Sequence, residues 1–243
     1  MRALVTGASR GIGAATAVRL AMDGFEVAVH YHRHRSEAQS VVRRIRSRGG
    51  SAFTVTGDVS RPGEVRSIAH QVAQRWPSLD ALVQNAGTYE RIRIGNLTDR
   101  AIDRSLRENL IGPMQLTRDL LPCIRKARHG AIVFVSSILA YDGSRHGAQY
   151  AAAKAGLLGF ARSLARELAP KTRVNVVAPG SIDTAILAGD SPRVLARRAR
   201  RIPLGRIGNA DEVAEAIAFL VSERSSYISG ATVHVNGGAR IGS

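Results

Sequence analysis

Cysteine, aromatic residues and long apolar runs are all scarce in this chain of 243 residues. The single cysteine, Cys123, cannot form an internal disulfide or a cysteine-based zinc site on its own. No apolar run reaches the roughly 18 residues that a membrane span requires. The first predicted strand begins at the second residue, which leaves no room for a signal peptide. We therefore expect a cytoplasmic protein with no disulfide, no metal site and no membrane partner.

Acidic residues are also few, with 19 Asp and Glu against 35 Lys and Arg and a formal net charge of +16. Such an excess attracts anionic partners, whether a nucleic acid, a membrane surface or an acidic protein. The basic clusters at 43–48 and 197–201 lie on separate predicted elements, and no aromatic residues are interleaved with them. This arrangement argues against nucleic-acid binding, in which such clusters would be phosphate contacts.

Short β-branched runs alternate with segments whose apolar residues recur every three or four positions. The runs predict seven strands, at 2–6, 26–31, 51–56, 81–85, 131–136, 173–178 and 231–235. The intervening segments predict helices at 12–23, 36–48, 62–76, 99–126, 149–169 and 210–222. In the fourth helix, Pro122 is expected to cause a break and Pro113 a bend. This alternation predicts a single α/β domain over 1–243, a Rossmann fold with a doubly wound, seven-stranded parallel sheet and helices on both faces.

A glycine-rich segment, TGASRGIG at 6–13, follows the first strand and opens the first helix. Glycines allow the backbone to approach a pyrophosphate, and the N–H groups of a helix N-terminus favour negative charge. The spacing of Gly7, Gly11 and Gly13 differs from the common G-x-G-x-x-G pattern. The segment therefore indicates a dinucleotide site, with a plain tight turn as the alternative.

The end of the second strand carries no carboxylate, although NAD binders place an acidic residue about 20 positions after the glycines. In VHYHRHR, Tyr31 takes that position, His32 and Arg33 follow it, and Arg10 in the glycine turn adds a third basic side chain. Basic residues here accommodate a 2′-phosphate, so the segment favours NADP, with a solvated basic loop as the alternative. Asp58, at the end of the third strand, is placed to reach an adenine edge or to cap a helix.

The otherwise apolar segment QYAAAKAGLLGF, at 149–160, carries a phenol and an ammonium. Tyr150 and Lys154 stand four residues apart, which places both side chains on one helix face. Ketone reduction needs a hydride, which a nicotinamide supplies, and a proton, which a tyrosine with a pKa of about 10 exchanges slowly at neutral pH. We expect the charge of Lys154 to lower the pKa of Tyr150. An ordinary surface pair is the alternative.

Five motifs, taken in order, resemble those of the short-chain dehydrogenase/reductases over practically the whole chain: TGASRGIG, QNAG (84–87), VSS (135–137), YAAAK (150–154) and APGSIDT (178–184). Within that family the chain looks most like the 3-oxoacyl-(acyl-carrier-protein) reductases, and VHYHR resembles a branch that serves aryl-polyene synthesis. The resemblance implies NADPH-dependent reduction of a 3-oxoacyl thioester on acyl carrier protein. Gln84 departs from the family, which often has asparagine there, and we expect only a mild change in strand packing.

The resemblance also implies the roles of the site residues. The catalytic tetrad falls on Asn109, Ser137, Tyr150 and Lys154. Tyr150 is then the acid, Ser137 hydrogen-bonds the substrate carbonyl, and Asn109 holds a water that links Lys154 to solvent. The nucleotide contacts fall on Gly7, Ser9, Arg10, Gly11, Ile12, Gly13, Asp58, Val59, Asn85, Ala86, Gly87, Pro179, Gly180, Ile182 and Thr184, with Tyr150, Lys154, His32 and Arg33 in addition.

The segment 185–207 matches the family's lid, which closes over the substrate. Its residues Leu187, Leu195 and Ile202 are candidates for contact with an acyl chain or for helix packing. Arg128 and Lys171 match positions that present positive charge to the acidic carrier near the mouth of the active site, and the basic run 197–201 adds to this attraction. Ordinary surface charge is the alternative.

The resemblance implies a homotetramer that assembles through the helices at 99–126 and 149–169 and through the C-terminal strand. Another reading keeps NADP-dependent reduction but replaces the carrier-bound substrate with a free ketone, sugar or steroid. A third reading is a nonenzymatic protein that senses NADP or binds nucleic acid.

Overall fold

Seven parallel strands form the sheet in the part of the chain that the computed structural model describes, residues 1–185 and 187–242. They are β1 Arg2–Val5, β2 Glu26–Tyr31, β3 Ser51–Thr56, β4 Ala81–Gln84, β5 Gly130–Val135, β6 Thr172–Pro179 and β7 Thr232–Val235. Their order across the sheet is β3-β2-β1-β4-β5-β6-β7. The predicted doubly wound parallel sheet is confirmed.

Helices cover both faces of the sheet, which explains why the strands are almost continuously apolar. Within the described residues they are α1 Gly11–Met22, α2 Arg35–Arg46, α3 Pro62–Arg75, α4 Asp99–Leu106, α5 Gly112–Ile124, α6 Leu139–Asp142, α7 Ala148–Glu167, α8 Pro192–Ala199 and α9 Ala210–Val221. One core contains residues of α1, α2 and α9, and the other contains residues of α3, α5 and α7. None of the described helices has both the length and the apolar character needed to cross a membrane.

The segment predicted as one helix at 99–126 consists of three elements. A π-helix at Arg107–Ile111 separates α4 from α5. Pro113 has no N–H to donate to the Asn109 carbonyl four residues earlier, so the irregularity expected there takes the form of this wide turn. The break expected at Pro122 is wrong, because α5 continues through it to Ile124. Pro122 has no N–H to donate to the carbonyl of Arg118, four residues earlier. Both residues are exposed, so water can donate a hydrogen bond to that carbonyl.

Gln84 connects the sheet to α5 through buried hydrogen bonds. Its Nε2 donates to the Pro113 carbonyl (3.1 Å) and to Thr117 Oγ1 (3.2 Å). Thr117 Oγ1 also donates to the Pro113 carbonyl (2.8 Å). The side chain that departs from the family pattern therefore ties the end of β4 to the helix that follows the π-helix.

Candidate active site

The carboxyl ends of β1 and β4 meet where the strand order reverses, and a crevice opens at that point. Thr6 and Asn85 hold the two ends together. The Thr6 Oγ1 accepts hydrogen bonds from the N–H groups of Asn85 (2.9 Å) and Ala86 (3.0 Å). In return, Asn85 Nδ2 donates to the carbonyls of Thr6 (2.9 Å) and Gly7 (3.2 Å). The asparagine of the QNAG motif therefore fixes the floor of this crevice.

The glycine turn has the conformation that a dinucleotide site requires. Gly7 and Gly11 have φ values of +63° and +54°, which favour glycine. A Cβ on Gly13 would lie 2.3 Å from the Gly7 carbonyl oxygen, so no other residue fits there. Arg10, the residue before α1, is extended and makes no side-chain cap, which leaves the first N–H groups of the helix open to an anion. The turn therefore fits a pyrophosphate.

The predicted site residues gather around two adjoining cavities. The first cavity, of about 540 Å³, is lined by Gly7, Ser9, Arg10, His32, Arg33, Asp58, Val59, Asn85, Ala86 and Gly87. The second cavity, of about 460 Å³, shares Asn85 and Gly87 with the first and is also lined by Ile12, Ser137, Tyr150, Lys154, Pro179, Gly180, Ile182 and Thr184. Gly11 lines a smaller cavity next to both. Gly13 and Asn109 line neither of the two main cavities and act through packing and hydrogen bonds.

The Asp58 side chain accepts hydrogen bonds from a residue two positions further along the chain. Its Oδ1 accepts from the N–H (2.9 Å) and the hydroxyl (2.7 Å) of Ser60. Burial raises the pKa of Asp58, but the Ser60 hydrogen bonds and nearby positive charge lower the pKa overall. The other oxygen lies 3.7 Å from His32 Nε2 and 3.5 Å from Arg61 Nε. The carboxylate thus supports the loop, and its contact with an adenine stays a prediction.

His30 is a site residue that the sequence analysis missed. Its Nδ1 accepts a hydrogen bond from the Gly7 N–H (3.1 Å), so its Nε2 carries the proton and donates to the Gly57 carbonyl (3.0 Å). The ring is buried, and burial lowers its pKa to about 4. A neutral imidazole therefore joins the glycine turn to the end of β3. The signal in the sequence was a histidine at the end of an apolar strand.

Tyr150 and Lys154 lie one turn apart on α7, with both side chains buried beside Ser137. Burial raises the pKa of Tyr150 to about 12, and a hydrogen bond from Ser137 acts against this rise. Burial lowers the pKa of Lys154 to about 8. Lys154 Nζ donates to the Val135 carbonyl (2.9 Å) and lies 5.7 Å from the centroid of the Tyr150 ring.

The expected lowering of the Tyr150 pKa by Lys154 is absent from this geometry. The ammonium group binds a backbone carbonyl of β5 instead of the phenol, and the loss of solvation on burial dominates the pKa of Tyr150. The two side chains do share one buried face as predicted. The difference from the expectation is that burial, and not the charge of Lys154, dominates the pKa of Tyr150, so the phenol is held in its protonated form.

Asn109 lies in the π-helix and is fully buried. Its Nδ2 donates to the carbonyls of Thr88 (3.1 Å) and Ser105 (3.0 Å), whereas its Oδ1 has no partner among the described residues. A Cβ on Gly87 would lie 2.4 Å from Asn109 Oδ1 and 3.3 Å from Lys154 Nζ. The amide oxygen and the ammonium therefore face the same point, and only glycine leaves room for that approach. This unpaired acceptor fits the water-holding role that the resemblance implies.

Tyr89, which the sequence analysis also missed, forms a wall of the second cavity. Its ring packs edge-on against Tyr150 with centroids 4.9 Å apart, and its hydroxyl shares a 2.9 Å hydrogen bond with Ser144 Oγ. Tyr89 follows the QNAG motif by two residues, so a tyrosine in a polar loop was the available signal. The wall narrows the space beside the Tyr150 phenol.

The predicted lid contains α8, which confirms its basic helix. Leu187 is buried and lines the second cavity, whereas Leu195 does not line it. Ile202 packs against Gly237, where a Cβ would lie 2.6 Å from it, so its role is packing. Ile186 lies outside the described residues. Of the basic run 197–201, Arg198 and Arg201 line the second cavity.

Arg128 and Lys171 lie at the amino ends of the strands, opposite the carboxyl ends where both cavities open. They precede β5 and β6, and the Gly130 N–H donates to the Lys171 carbonyl (2.9 Å) between these strands. Both side chains are exposed. Because the cavities lie at the carboxyl ends of the strands, neither residue lines them, and the role of Arg128 and Lys171 in docking the carrier stays a prediction.

No metal centre is evident in residues 1–185 and 187–242, where no three His, Cys, Asp or Glu side chains form a group that could hold an ion. The polar side chains that line the second cavity include Ser137, Tyr150 and Lys154, and the glycine turn lies beside them.

The chain is similar to known proteins over nearly its whole length. A family model described as enoyl-(acyl carrier protein) reductase matches residues 7–240. Curated proteins named 3-oxoacyl-(acyl-carrier-protein) reductase FabG, from Staphylococcus aureus and Escherichia coli, are each 38% identical over 237 residues, which is 97% of this chain and 96% of each relative. The chain belongs to the short-chain dehydrogenase/reductase family, as its motifs implied. Within the family it is similar to these 3-oxoacyl-(acyl-carrier-protein) reductases.

Solved structures agree with this membership. A short-chain dehydrogenase from Burkholderia cenocepacia, crystallised in complex with NADP, is 38% identical and has a TM-score of 0.92, with 98% of this chain and 97% of that chain covered. A dehydrogenase/reductase from Sinorhizobium meliloti is 32% identical and has a TM-score of 0.93, with 99% and 95% covered. The sheet order and the site residues therefore lie on a fold shared with enzymes of this family.

The buried imidazole of His30 makes stability depend on pH. The unfolded chain takes up this proton near pH 6.5, but the folded chain takes it up only near pH 4, so stability is lost as pH falls through that window. We expect a loss of up to about 3 kcal/mol in the free energy of unfolding between these values. In His30→Gln this part of the pH dependence should disappear. Urea unfolding between pH 4 and 7 measures the effect.

The control is His70→Gln, since His70 is exposed on α3. This variant should keep the pH dependence of the unaltered protein. An unchanged slope in His30→Gln would show that another group is responsible.

Proposed function

We propose that this chain uses NADPH to reduce the 3-oxo group of an acyl thioester carried on acyl carrier protein. The observation that carries the proposal is the buried group of Ser137, Tyr150 and Lys154 in the second cavity, beside the glycine turn. The substrate class rests on the relatives named 3-oxoacyl-(acyl-carrier-protein) reductase. The cofactor rests on the neighbour that holds NADP, together with His32 and Arg33 in the first cavity.

The proton for the reaction comes from Tyr150. Bound NADPH supplies the hydride for the carbonyl carbon. With a pKa of about 12, the buried phenol is fully protonated at neutral pH and can donate to the carbonyl oxygen. The Ser137 hydroxyl, which already hydrogen-bonds the phenol, donates to the same oxygen as negative charge develops there.

Lys154 stabilises and then restores the catalytic phenol. Lys154 Nζ hydrogen-bonds the Val135 carbonyl and lies 5.7 Å from the centroid of the Tyr150 ring, so its charge acts on the phenolate through space and offsets only part of the cost of burial. With a pKa of about 8, Lys154 exchanges its own proton readily near neutral pH. Asn109 Oδ1, which faces the same point beside Gly87, is placed to hold the water through which that proton is replaced.

Reduction of a 2-enoyl thioester is a second candidate, because the matched family model carries that description. That reaction ends with a new proton on carbon, and the hydroxyl groups of Ser137 and Tyr150 suit the oxygen of its enolate as well as a ketone oxygen. The relatives, which are named as 3-oxoacyl reductases, favour the carbonyl reaction. Reduction of a free ketone, sugar or steroid is the alternative that keeps the same catalytic group.

The lid and the carrier belong to the same proposal. The segment 185–207 closes over the acyl chain, with Leu187 as the apolar contact in the second cavity. Arg128 and Lys171 attract the acidic carrier. Because they lie at the amino ends of β5 and β6, a carrier bound there delivers its acyl group to the cavity of a neighbouring copy. We propose a homotetramer that assembles through α4, α5 and α7 and through β7, in which the amino ends of β5 and β6 of one protomer lie near the cavity mouth of another.

Removal of the catalytic hydroxyl tests the mechanism. Tyr150→Phe should lower kcat/KM for the 3-oxoacyl substrate by about 10²- to 10⁴-fold, because the carbonyl oxygen loses its acid. The Kd for NADPH, measured by fluorescence titration, should stay nearly unchanged. Tyr227→Phe removes a hydroxyl from a fully exposed ring and is the matched control. Near-normal turnover by Tyr150→Phe would contradict the mechanism.

Cofactor preference tests the basic end of the first cavity. The unaltered protein should have a clearly higher kcat/KM with NADPH than with NADH. Arg33→Ser should lower the NADPH value roughly tenfold or more, since it removes a charged hydrogen bond to the 2′-phosphate, and should leave the NADH value unchanged. Arg35→Ser, at an exposed position that does not line the cavity, is the control. Equal efficiency with both cofactors would remove the 2′-phosphate assignment.

A panel of substrates tests the carrier-bound thioester. A 3-oxoacyl group on acyl carrier protein should be reduced with a higher kcat/KM than small free ketones, and added salt should weaken that advantage by screening the attraction to the carrier. The matching 2-enoyl carrier substrate should show no NADPH oxidation. If small ketones were preferred, or if the enoyl substrate were the one reduced, the proposed substrate would be wrong.

A further inference from the structure

The charged side chains at the mouth of the second cavity are positive. Four arginines line it: Arg91 from the loop after β4, Arg145 from the loop before α7, and Arg198 and Arg201 from the lid. No Asp or Glu occurs among the described residues that line this cavity. A concave surface lined by one sign of charge concentrates ligands of the opposite sign. The cavity is therefore suited to a substrate that carries negative charge.

Two of these arginines are held in place by one buried carboxylate. The Asp190 side chain is 4% exposed, and it accepts hydrogen bonds from Arg91 Nη1 (2.6 Å) and Arg198 Nε (2.9 Å). The Arg91 hydrogen bond, the larger cause, holds the pKa of Asp190 below its usual value. One negative charge thus orients two guanidinium groups, which come from the body of the fold and from the lid. A net positive charge remains on the three.

The other two arginines have no such partner. Neither Arg145 nor Arg201 has an ion pair or a side-chain hydrogen bond within residues 1–185 and 187–242. Both side chains are exposed to the solvent of the cavity mouth. A guanidinium group offers several N–H donors in one plane and binds phosphate through two hydrogen bonds at once. Arg145 and Arg201 are therefore free to bind an oxyanion.

We propose that Arg145 and Arg201 bind the phosphate of a phosphopantetheine arm, the group through which the acyl thioester is carried. This inference rests on the proposed function, which supplies the thioester substrate. Ser137 and Tyr150, which line the same cavity, are buried, whereas Arg145 and Arg201 are exposed, so a substrate that reaches the phenol passes these arginines. Arg91 and Arg198, fixed by Asp190, add positive charge to that mouth.

The test compares thioesters that differ only in the arm. The same 3-oxoacyl group is attached to pantetheine, to 4′-phosphopantetheine, to coenzyme A and to acyl carrier protein. In the unaltered protein, the phosphopantetheine thioester should have a kcat/KM about tenfold or more above that of the pantetheine thioester, mainly through a lower KM. Added salt should reduce this ratio. In Arg145→Gln/Arg201→Gln the ratio should fall towards one while the pantetheine thioester keeps its kcat/KM.

The matched control is Arg197→Gln/Arg200→Gln, which removes the same charge from the same region at exposed positions that do not line the cavity. This variant should keep the phosphate advantage. Equal loss in the two double variants would mean that only the general field matters, and it would overturn the assignment to Arg145 and Arg201. Equal kcat/KM for the pantetheine and phosphopantetheine thioesters in the unaltered protein would also overturn it.

The remaining comparisons separate this inference from the proposed function. Reduction of all four thioesters without any phosphate advantage leaves the proposed function standing and removes the inference. With the phosphate advantage present, the better substrate of the coenzyme A and carrier thioesters identifies the source of the arm. If no thioester is reduced, the proposed function fails, and calorimetric titration with unacylated phosphopantetheine decides the inference by itself. Binding that the cavity double variant loses supports the site, and absence of binding overturns it.

Discussion

The hydrogen bonds between Thr6 and Asn85 support every other part of the site, because they join the two strands at which the sheet order reverses. These bonds fix the glycine turn after β1 against the loop after β4. That loop carries Gly87, whose close approach to Asn109 and Lys154 sets the loop against the catalytic helix. The glycine turn and the group of Tyr150 and Lys154 are therefore positioned by one short set of buried contacts.

Burial acts on Tyr150 and Lys154 in the same sense, since it disfavours the charged form of each side chain. For Tyr150 this keeps the proton on the phenol, and for Lys154 it brings the pKa down to about 8. A site arranged in this way is ready to deliver a proton at neutral pH and to accept a replacement. A protonated phenol is the form that a carbonyl reduction requires, which agrees with the names of the relatives.

The sheet could be predicted from the sequence, because a parallel strand covered on both faces needs a continuous apolar run, and β5 has one. The motifs also placed Ser137, Tyr150 and Lys154 together. The partner of Lys154 could not be predicted, since the Val135 carbonyl is reached only after α7 packs on the sheet. The Arg91 and Asp190 contact likewise joins residues far apart in the chain. The position of Arg128 and Lys171, in contrast, could have been predicted, because residues that precede parallel strands lie at the amino ends of those strands.

His30 has a mechanical consequence for the crevice beyond its effect on stability. One imidazole ring spans the gap between the Gly7 N–H and the Gly57 carbonyl, and its two nitrogen atoms are both engaged. The separation between the turn after β1 and the end of β3 is therefore set by the width of a single planar ring. A change in the width of the crevice at this point therefore requires at least one of these two hydrogen bonds to lengthen or break. While both are intact, the glycine turn and the end of β3 move together.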